Sequence, residues 1–379
     1  NSSIYIQDAM LNQGLVAYPY IETTTAPVAG GILEDMPRLD WSGSCPALLL
    51  EPQRTNLITN SEYRTSATNA SVVNNSTSSP EGVSNGCLFV ENTALNVHGI
   101  QFSNLIATNA NAVDYTISVF VKAKEREHIQ LSFFADSVIK NSSFFDILNG
   151  TTDGDPNTHK IEGYGNGWYR CSFTANVLQS TGGYNLVRFL MSNGLTTYYT
   201  GDNTSGLYMW GLQLEQDATY NTSYIPTYGV SQTRLADGYL TNSNFSSIFG
   251  ASSLTQYTIF LDISKAYNNG SSVNFILKGS QSQGIINIFG GDRLIYFSSA
   301  TGYVAPVTIT DGNTHKYLLS ANNGTIKVFF DGVLVNTITN PSDALTNIDI
   351  IGVKHLNISQ YILFPTALSD SECIALTTI

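Results

Sequence analysis

The sequence has few charged residues. Asp, Glu, Lys and Arg make up 12% of its 379 residues, about half of the usual share of roughly 25%. The polar surface must therefore come from Asn, Ser, Thr, Gly and the 21 tyrosines. This composition is typical of extracellular and adhesin-like all-β proteins. Tyrosine combines an apolar ring with a polar hydroxyl, which suits a wet binding surface.

Positive charge is especially scarce. The chain has 17 Lys and Arg against 29 Asp and Glu, a net charge of −12, and the basic residues are scattered along it. A nucleic-acid partner is therefore not expected. No stretch approaches the 18 consecutive apolar residues that would predict a membrane-spanning helix. We expect no membrane insertion.

The cysteines and histidines form no recognisable metal or redox motif. The four cysteines (Cys45, Cys87, Cys171, Cys373) have no C-x-x-C spacing, and the five histidines form no H-E-x-x-H. We predict free thiols, with a Cys45–Cys87 disulfide as the alternative. In the alternating segment around Cys171, a buried thiol would behave as a small hydrophobe.

Neither a nucleophile motif nor a catalytic carboxylate pair is supported by the sequence. Gly82-Val-Ser-Asn-Gly86 matches G-x-S-x-G, but a nucleophile elbow needs a strand before it and a helix after it. Here a polar loop precedes the motif and a strand pattern follows, which predicts a turn. No spaced Asp/Glu pair resembles the signature of sandwich-fold glycanases. We expect a protein without catalysis, and a glycanase is the least favoured alternative because carboxylate separation is not readable from sequence.

Alternating apolar and polar residues predict strands through most of the chain. In the first half, turn-forming clusters separate four such segments, as an antiparallel β-sandwich requires. These segments are 115–121, 128–134, 184–191 and 207–215. In the second half, 257–263 predicts another strand, and Asp331-Gly332 predicts a type I′ hairpin over 325–336. Residues 367–376 predict one short helix, with Ser369 and Glu372 forming a capping box.

The two-residue period assigns these side chains to two faces. One face is predicted to form the core, and the other is a candidate glycan-binding surface. Core positions are Ile117, Val119, Ile129, Leu131, Phe133, Val187, Phe189, Trp210, Leu212 and Leu214. The opposite positions are Ser118, Phe120, Gln130, Ser132, Tyr184, Arg188 and Gln213.

Candidate glycan contacts come from this second set and from one exposed aromatic pair. Lectin sites combine planar polar groups with an aromatic ring, which selects Gln130, Ser132, Tyr184, Arg188 and Gln213. An ordinary solvated sheet face is the alternative. Beside the turn at Gly201, Tyr198 and Tyr199 are predicted to be an exposed pair. Trp168 and Trp210 are candidate sugar platforms, but Trp210 shares the core face with Leu212 and Leu214 and is expected in the core. Trp41 is expected either exposed or as a lid on the first core.

One loop carries oxygen ligands at alternate positions. Asp153, Asp155 and Asn157 match the start of an EF-hand calcium loop. Thr158 stands where the motif has Gly, and Tyr164 stands where it has Glu. These two departures favour a solvated turn, and calcium is the alternative cofactor.

Four segments, in order, resemble one protein family. They are Pro37-Arg-Leu-Asp-Trp41 with Cys45-Pro-Ala-Leu-Leu-Leu-Glu-Pro-Gln-Arg-Thr-Asn-Leu57, then Gly165-Asn-Gly-Trp-Tyr-Arg-Cys171, then Leu207-Tyr-Met-Trp-Gly-Leu-Gln-Leu-Glu215 with Ser223-Tyr-Ile-Pro-Thr227 and Thr233-Arg-Leu-Ala-Asp237, and finally Leu363-Phe-Pro-Thr-Ala-Leu-Ser-Asp-Ser-Glu372. Together they resemble bacteriophage head-fibre and tail-fibre proteins. Those proteins are built from carbohydrate-binding-module-like jelly rolls and concanavalin A/laminin G-like lectin domains.

The resemblance implies an all-β protein with two antiparallel sandwiches. An extended lead-in (1–54) would pack on the first domain and attach to other virion structural proteins. A jelly roll (55–230) and a lectin-like sandwich (231–379) would follow. It further implies a non-catalytic fibre subunit on the virion surface, a homotrimer that recognises host-surface glycans. The alternative is a secreted bacterial carbohydrate-binding or adhesin module.

Overall fold

The structure, a computed structural model, describes most of the chain. The described residues are 39–40, 47–180, 183–239, 246, 249–264, 274–277, 286–289, 293–298, 302–308, 313–339, 344–346, 350–351 and 356–379. They form two compact units. The first is Arg54–Arg234, and the second combines the described part of Asp35–Gln53 with that of Leu235–Ile379.

Strands dominate both units, as the sequence predicts. The strands up to residue 234 are β1 (Leu39–Asp40), β2 (Ala47–Leu50), β3 (Arg54–Asn56), β4 (Ala70–Thr77), β5 (Gly86–Glu91), β6 (Leu95–Asn96), β7 (His98–Ser103), β8 (Val113–Ala123), β9 (His128–Ala135), β10 (Val138–Asp146), β11 (Thr151–Thr152), β12 (His159–Gly163), β13 (Trp168–Val177), β14 (Leu186–Ser192), β15 (Tyr199–Thr200), β16 (Gly206–Gln216) and β17 (Gln232–Arg234). The elements after them are β18 (Gly238–Tyr239), β19 (Gln256–Ser264), β20 (Asn274–Leu277), β21 (Ile286–Phe289), β22 (Arg293–Ser298), β23 (Gly302–Thr308), β24 (His315–Asn322), β25 (Thr325–Phe330), β26 (Val333–Thr339), β27 (Ile350–Ile351), β28 (Leu356–Phe364) and helix α1 (Asp370–Thr377).

The first unit is a β-sandwich of two antiparallel sheets. Its five-stranded sheet has the order β11-β10-β9-β14-β7, and its six-stranded sheet has the order β12-β13-β8-β16-β5-β4. The inner faces of both sheets contribute to one apolar core. Burial of these side chains away from water stabilises the sandwich. Nine of the ten predicted core residues lie in it, namely Ile117, Val119, Ile129, Leu131, Phe133, Val187, Phe189, Leu212 and Leu214.

Trp210 is the exception, because a β-bulge changes the face of β16. Trp210 lies opposite Phe120 and Gln213 lies opposite Ser118, so three steps along β16 match two along β8. Gly211, at φ +63°, occupies the bulge. The prediction that Trp210 shares a face with Leu212 is therefore wrong. Trp210 is buried on the outer face, against Phe120.

The bulge predicts a large cost for a side chain at Gly211. In Gly211→Ala, the new Cβ would lie 2.9 Å from Phe120 Cδ2 and would hold alanine at positive φ. We expect the free energy of unfolding to fall by about 3 kcal/mol, from left-handed strain and overpacking together. Gly194→Ala is the matched control, since Gly194 has φ +59° and open space around its Cβ, and it should cost about 1 kcal/mol. Equal losses in denaturant melts of the two variants would contradict steric crowding at the bulge.

Residues 217–228, which we call the strap, cover the outer face of the six-stranded sheet. The Tyr224 ring lies 4.5 Å from that of Trp210 and 6.2 Å from that of Phe120, centroid to centroid. The Arg170 guanidinium donates to Thr222 O at 2.7 Å. Each aromatic pair adds about 1 kcal/mol beyond its buried area. This face is therefore closed by the chain itself.

The first unit ends slightly later than predicted. Strand β17 pairs with β3, with Gln232 opposite Asn56. The Asn56 amide donates to Leu212 O and Ile225 O, and its oxygen accepts from Ile58 N and Leu214 N. One buried side chain thereby joins β3, β16 and the strap.

The second unit has its own core and sheets. Its described residues form a seven-stranded sheet, β1-β2-β28-β19-β24-β25-β26, and a four-stranded sheet, β20-β21-β22-β23. Helix α1 contributes Cys373 to a cluster with Phe260, Leu318 and Phe329. The predicted capping box of Ser369 and Glu372 is confirmed. The hairpin is confirmed too, with φ +45° at Asp331 and +79° at Gly332.

Two predictions about the segment before residue 54 need correction. Strand β2 pairs with β28, so residues 47–53 belong to the second unit rather than to the first. The backbone of Glu51 also bonds to Asp237, its N–H donating to Asp237 Oδ2 at 2.6 Å. The Cys45–Cys87 disulfide is wrong, because Cys87 is a free thiol, as are Cys171 and Cys373. Cys45 and Trp41 lie outside the described residues, as does most of the predicted lead-in.

Candidate functional site

The outer face of the five-stranded sheet, which we call the polar face, brings several predicted residues together. Ser132 on β9 lies opposite Arg188 on β14, and Gln130 lies opposite Leu190. On the next strand, Gln101 of β7 lies opposite Arg188. The prediction that Gln130, Ser132 and Arg188 share a non-core face is confirmed. Their role in binding stays a prediction.

The centre of the polar face is buried. Ser132 is 0% exposed, Leu190 and Ser192 are each 1% exposed, and Gln130 is 8% exposed. The Oγ atoms of Ser132 and Ser192 and the Nε atom of Arg188 are buried without a hydrogen-bond partner. A buried polar atom without a partner costs about 1–3 kcal/mol. Such a centre differs from an ordinary solvated sheet face.

Aromatic rings stand beside Arg188. Its guanidinium carbon lies 4.7 Å from the centroid of the Phe134 ring, within reach of a cation–π interaction. The Phe134 ring is edge-to-face with Tyr184 at 6.1 Å, and Tyr184 is exposed. Burial lowers the pKa of Arg188, and the Tyr184 phenol partly offsets this. The cation therefore lies between buried hydroxyls and an aromatic rim.

A histidine–carboxylate pair forms the far end of the polar face. His128 lies opposite Asp146 on β10 and Ser192 on β14. Its Nε2 is 3.6 Å from Asp146 Oδ2. The other Asp146 oxygen accepts hydrogen bonds from Leu148 N and Asn149 N, so this carboxylate is held by its own loop.

Gln213 does not belong with the other candidates. It lies on the six-stranded sheet, fully buried beneath the strap. Its Oε1 accepts from Ile225 N at 2.7 Å, and its amide nitrogen donates to Ser223 O at 3.3 Å. The period of two identifies a non-core face, but in a sandwich the two non-core faces point in opposite directions. The grouping of Gln213 with Arg188 is therefore wrong.

Tyr198 and Tyr199 differ in their exposure to solvent. Tyr198 is exposed, as predicted, whereas Tyr199 is 8% exposed, because successive side chains of extended backbone point to opposite sides. The Tyr199 hydroxyl donates to Glu91 Oε2 at 2.7 Å. The prediction of an exposed tyrosine pair is wrong for Tyr199.

Tyr199 belongs to a buried charged network around Glu91. The Arg126 guanidinium donates to both Glu91 oxygens, at 2.7 and 2.5 Å, and Asp202 N donates at 3.0 Å. Arg126 also lies over the Tyr199 ring at 4.9 Å. Burial alone would raise the pKa of Glu91, but these hydrogen bonds outweigh it and hold the pKa below its usual value. The network anchors the loop that presents Tyr198.

The carboxylates of the predicted calcium loop accept hydrogen bonds from strand β10 and from the loop itself. Asp153 Oδ1 accepts from Phe144 N at 2.9 Å. Asp155 Oδ1 accepts from the backbone and the side-chain nitrogens of Asn157, each at 2.9 Å. Within the described residues, no group of three His, Cys, Asp or Glu side chains is placed to hold a metal ion. Calcium at this loop stays a prediction.

The members of the polar face that sequence reasoning missed include Phe134 and Ser192. Phe134 lies an even number of residues from Gln130 on β9, and Ser192 lies an even number from Arg188 on β14. Extending the alternating pattern to the strand ends would therefore have found both. Their burial and their proximity to Arg188 had no sequence signal. In the part of the chain that the structure describes, no helix has the length and apolar character needed to cross a membrane.

The sequence matches no family model and no curated protein. The solved structures that are similar to it include a carbohydrate-binding module and a pair of laminin G domains. The carbohydrate-binding module CBM40 of the Ruminococcus gnavus IT-sialidase, bound to α2,3-sialyllactose, is 17% identical, with 38% of this chain and 92% of the module covered and a TM-score of 0.23. Domains LG4-5 of the mouse laminin α1 chain are 10% identical, with 91% of this chain and 96% of that one covered and a TM-score of 0.21. Likenesses of this size carry no argument about function, which must come from the residues above.

Proposed function

We propose that this protein binds carbohydrate through the polar face of its first unit. The observation that carries the proposal is the set of buried, unpartnered polar atoms of Ser132, Ser192 and Arg188 on one sheet face. Sugar hydroxyls both donate and accept hydrogen bonds, so they can satisfy the serine oxygens and the guanidinium together. The rings of Phe134 and Tyr184 offer apolar surfaces to the C–H side of a sugar ring.

The proposed activity is binding without catalysis. Hydrolysis of a glycosidic bond usually requires two carboxyl groups about 5–10 Å apart across the substrate. Among the described strand residues of the polar face, Asp146 is the one carboxylate, and its oxygens are held by Leu148, Asn149 and His128. A sandwich-fold glycanase is therefore disfavoured as the alternative.

We further propose that the protein is a subunit of a bacteriophage virion fibre. The support is the resemblance of its four segments to head-fibre and tail-fibre proteins. On this proposal it assembles as a homotrimer, attaches to other virion structural proteins through residues before the first unit, and contacts host-surface glycans on the virion surface. A secreted bacterial carbohydrate-binding or adhesin module is the alternative, and it would be a monomer.

Three measurements on the purified chain test these proposals. On an array of bacterial and eukaryotic glycans, we expect saturable retention that free glycan competes away. If an unrelated protein, and not free glycan, abolished the array signal, that result would contradict carbohydrate binding. Light scattering should give three times the chain mass, whereas a monomer would favour the secreted module. Adding EDTA should lower the melting temperature if the Asp153 loop holds calcium. An unchanged melting temperature would contradict the calcium prediction.

A further inference from the structure

A cavity separate from the polar face opens between two loops of the first unit. One loop, residues 77–82, leads from β4 toward β5, and the other, residues 164–167, joins β12 to β13. They enclose about 450 Å³, within the range of roughly 300–1,000 Å³ typical of small-ligand sites. Trp168 lines it, next to the outer face of the six-stranded sheet.

Both loops are held by specific contacts. The Trp168 indole nitrogen donates to Ser78 O at 2.9 Å. Gly86 permits this approach, because a Cβ there would lie 2.6 Å from Thr77 Cγ2. On the other side, Tyr164 N donates to Trp168 O at 2.8 Å, and Trp168 N donates to Gly165 O at 2.9 Å. The cavity is therefore preformed, which lowers the entropic cost of binding.

The lining carries one positive charge and no negative charge. Lys122 lies directly opposite Trp168 across β8 and β13 and reaches the cavity. The remaining lining residues are uncharged and include the hydroxyls of Thr77, Ser78 and Ser79 and the Asn166 amide. Within the described residues, the Lys122 ammonium has no hydrogen-bonded carboxylate. In a chain of net charge −12, such a lining selects an anion.

The lining also offers an aromatic surface. Tyr164 is 48% exposed, and its ring is edge-to-face with the buried Phe120 at 4.9 Å. One side of the tyrosine ring is thereby supported while the residue remains accessible. An aromatic ring beside hydroxyls and an amide fits a sugar ring better than it fits a bare inorganic ion.

We propose that this cavity binds an acidic sugar residue. The carboxylate or sulfate of the sugar pairs with Lys122, its hydroxyls bond to the serine hydroxyls and to Asn166, and one ring face packs on Tyr164. This site is independent of the polar face, because Lys122 and Arg188 lie on different sheets of the sandwich.

The test compares matched acidic and neutral sugars by calorimetry on the full chain. The probes are the methyl glycosides of glucuronic acid and galacturonic acid, with those of glucose and galactose as their neutral counterparts. We expect the uronides to bind at least tenfold more tightly than the neutral sugars, and to bind more weakly as salt rises. Failure of both uronides to bind, or equal affinity for the neutral sugars, would overturn the proposal.

Four variants locate the site. Lys122→Gln and Tyr164→Ala should each weaken uronide binding, about tenfold for the lysine because a charge-assisted hydrogen bond is lost. Lys124→Gln, which removes the same charge at an exposed pair with Glu125, should leave the affinity unchanged. If Lys124→Gln weakened uronide binding equally, the effect of Lys122→Gln would be explained by general electrostatic attraction and not by a contact in the cavity. Arg188→Gln should retain uronide binding. If this variant lost uronide binding, the ligand would be assigned to the polar face and the cavity site would be overturned.

Inorganic phosphate and sulfate distinguish a sugar from a free anion. They should compete with the uronides only at far higher concentration, because they use Lys122 but have no ring to place on Tyr164. Phosphate that binds as tightly as the uronides, and that is insensitive to Tyr164→Ala, would show an anion site and overturn the assignment to a saccharide.

Discussion

Arg188→Gln should weaken glycan binding by about 10- to 100-fold, the cost of losing a hydrogen bond from a charged donor. Arg188 lies between Ser132 and Gln101 of the two neighbouring strands, and its buried Nε atom has no hydrogen-bond partner. Glutamine keeps a planar polar group but has no charge and fewer donors. Binding to the array glycan, measured by surface plasmon resonance, gives the ratio of dissociation constants.

Ser132→Ala separates a binding role from a structural one. Its hydroxyl is buried without a partner, so alanine removes an unsatisfied group and should leave stability unchanged or raise it by about 1 kcal/mol. The same change should weaken glycan binding severalfold, because the hydroxyl is proposed to contact the sugar. Only a residue that contacts the ligand is expected to lower the affinity when replaced while leaving stability unchanged or raised. A loss of stability together with affinity would assign Ser132 to the fold.

Control variants complete this test. Lys124→Gln removes one positive charge at an exposed pair with Glu125, outside the strands of the polar face, and should leave the affinity unchanged. Arg188→Lys keeps the charge but loses the planar fork of donors, so an intermediate affinity is expected. Wild-type affinity in Arg188→Gln, with the fold intact by circular dichroism, would contradict binding at the polar face.

Glu91→Gln should produce the largest loss of stability among the variants considered. The neutral glutamine side chain could not balance the charge of the half-buried Arg126, which donates to both oxygens of the buried Glu91 carboxylate in the native chain. Breaking a buried ion pair by removing one partner costs about 3–5 kcal/mol. For a unit of this size, this corresponds to a drop in melting temperature of about 6–15 °C, measurable by calorimetry.

The effect should depend on pH in a defined direction. Because the folded-state pKa of Glu91 is lowered, its stabilising contribution is complete above the ordinary carboxyl pKa of about 4.5. The contribution is lost as the pH falls through the lower folded-state pKa. The difference in melting temperature between wild type and Glu91→Gln should therefore be constant near neutrality and shrink in acid.

Glu125→Gln is the matched control for this prediction. It makes the same chemical change in an exposed pair with Lys124, where a surface ion pair is worth about 0–1 kcal/mol. Tyr199→Phe, which removes one donor to Glu91, should cost about 1 kcal/mol. A Glu91→Gln loss no larger than that of Glu125→Gln would contradict a buried charged network.

Three of the four segments that resemble phage-fibre proteins meet at the strap. Arg170, from the Gly165–Cys171 segment, bonds to Thr222, and Gln213, from the Leu207–Glu215 segment, bonds to Ile225. Asn56, from the first segment, bonds to Ile225 as well. These contacts are internal to the first unit and buried, so the shared residues close one face of its sandwich. The polar face lies on the opposite sheet, which the resembling segments leave almost untouched, whereas Gly165, Asn166 and Trp168 of the second segment line the proposed acidic-sugar cavity.

Local patterns in the sequence determined the elements of this protein. Alternation predicted the strands and nine of the ten proposed core residues, because side chains of a strand point to two sides by geometry alone. Asp331-Gly332 predicted the hairpin because both residues tolerate positive φ, and Ser369 with Glu372 predicted the helix start. Each of these signals is complete within about ten residues of chain.

Only the tertiary structure decided how those elements combine. The bulge at Gly211 turned Trp210 outward, β2 joined β28 more than 300 positions away in sequence, and Gln213 and Arg188 came to lie on different sheets. Burial of Tyr199 and of Ser132 likewise depends on neighbours from other strands. A pattern along one strand records which side a residue takes, whereas its sheet, its partners and its exposure are set by long-range pairing.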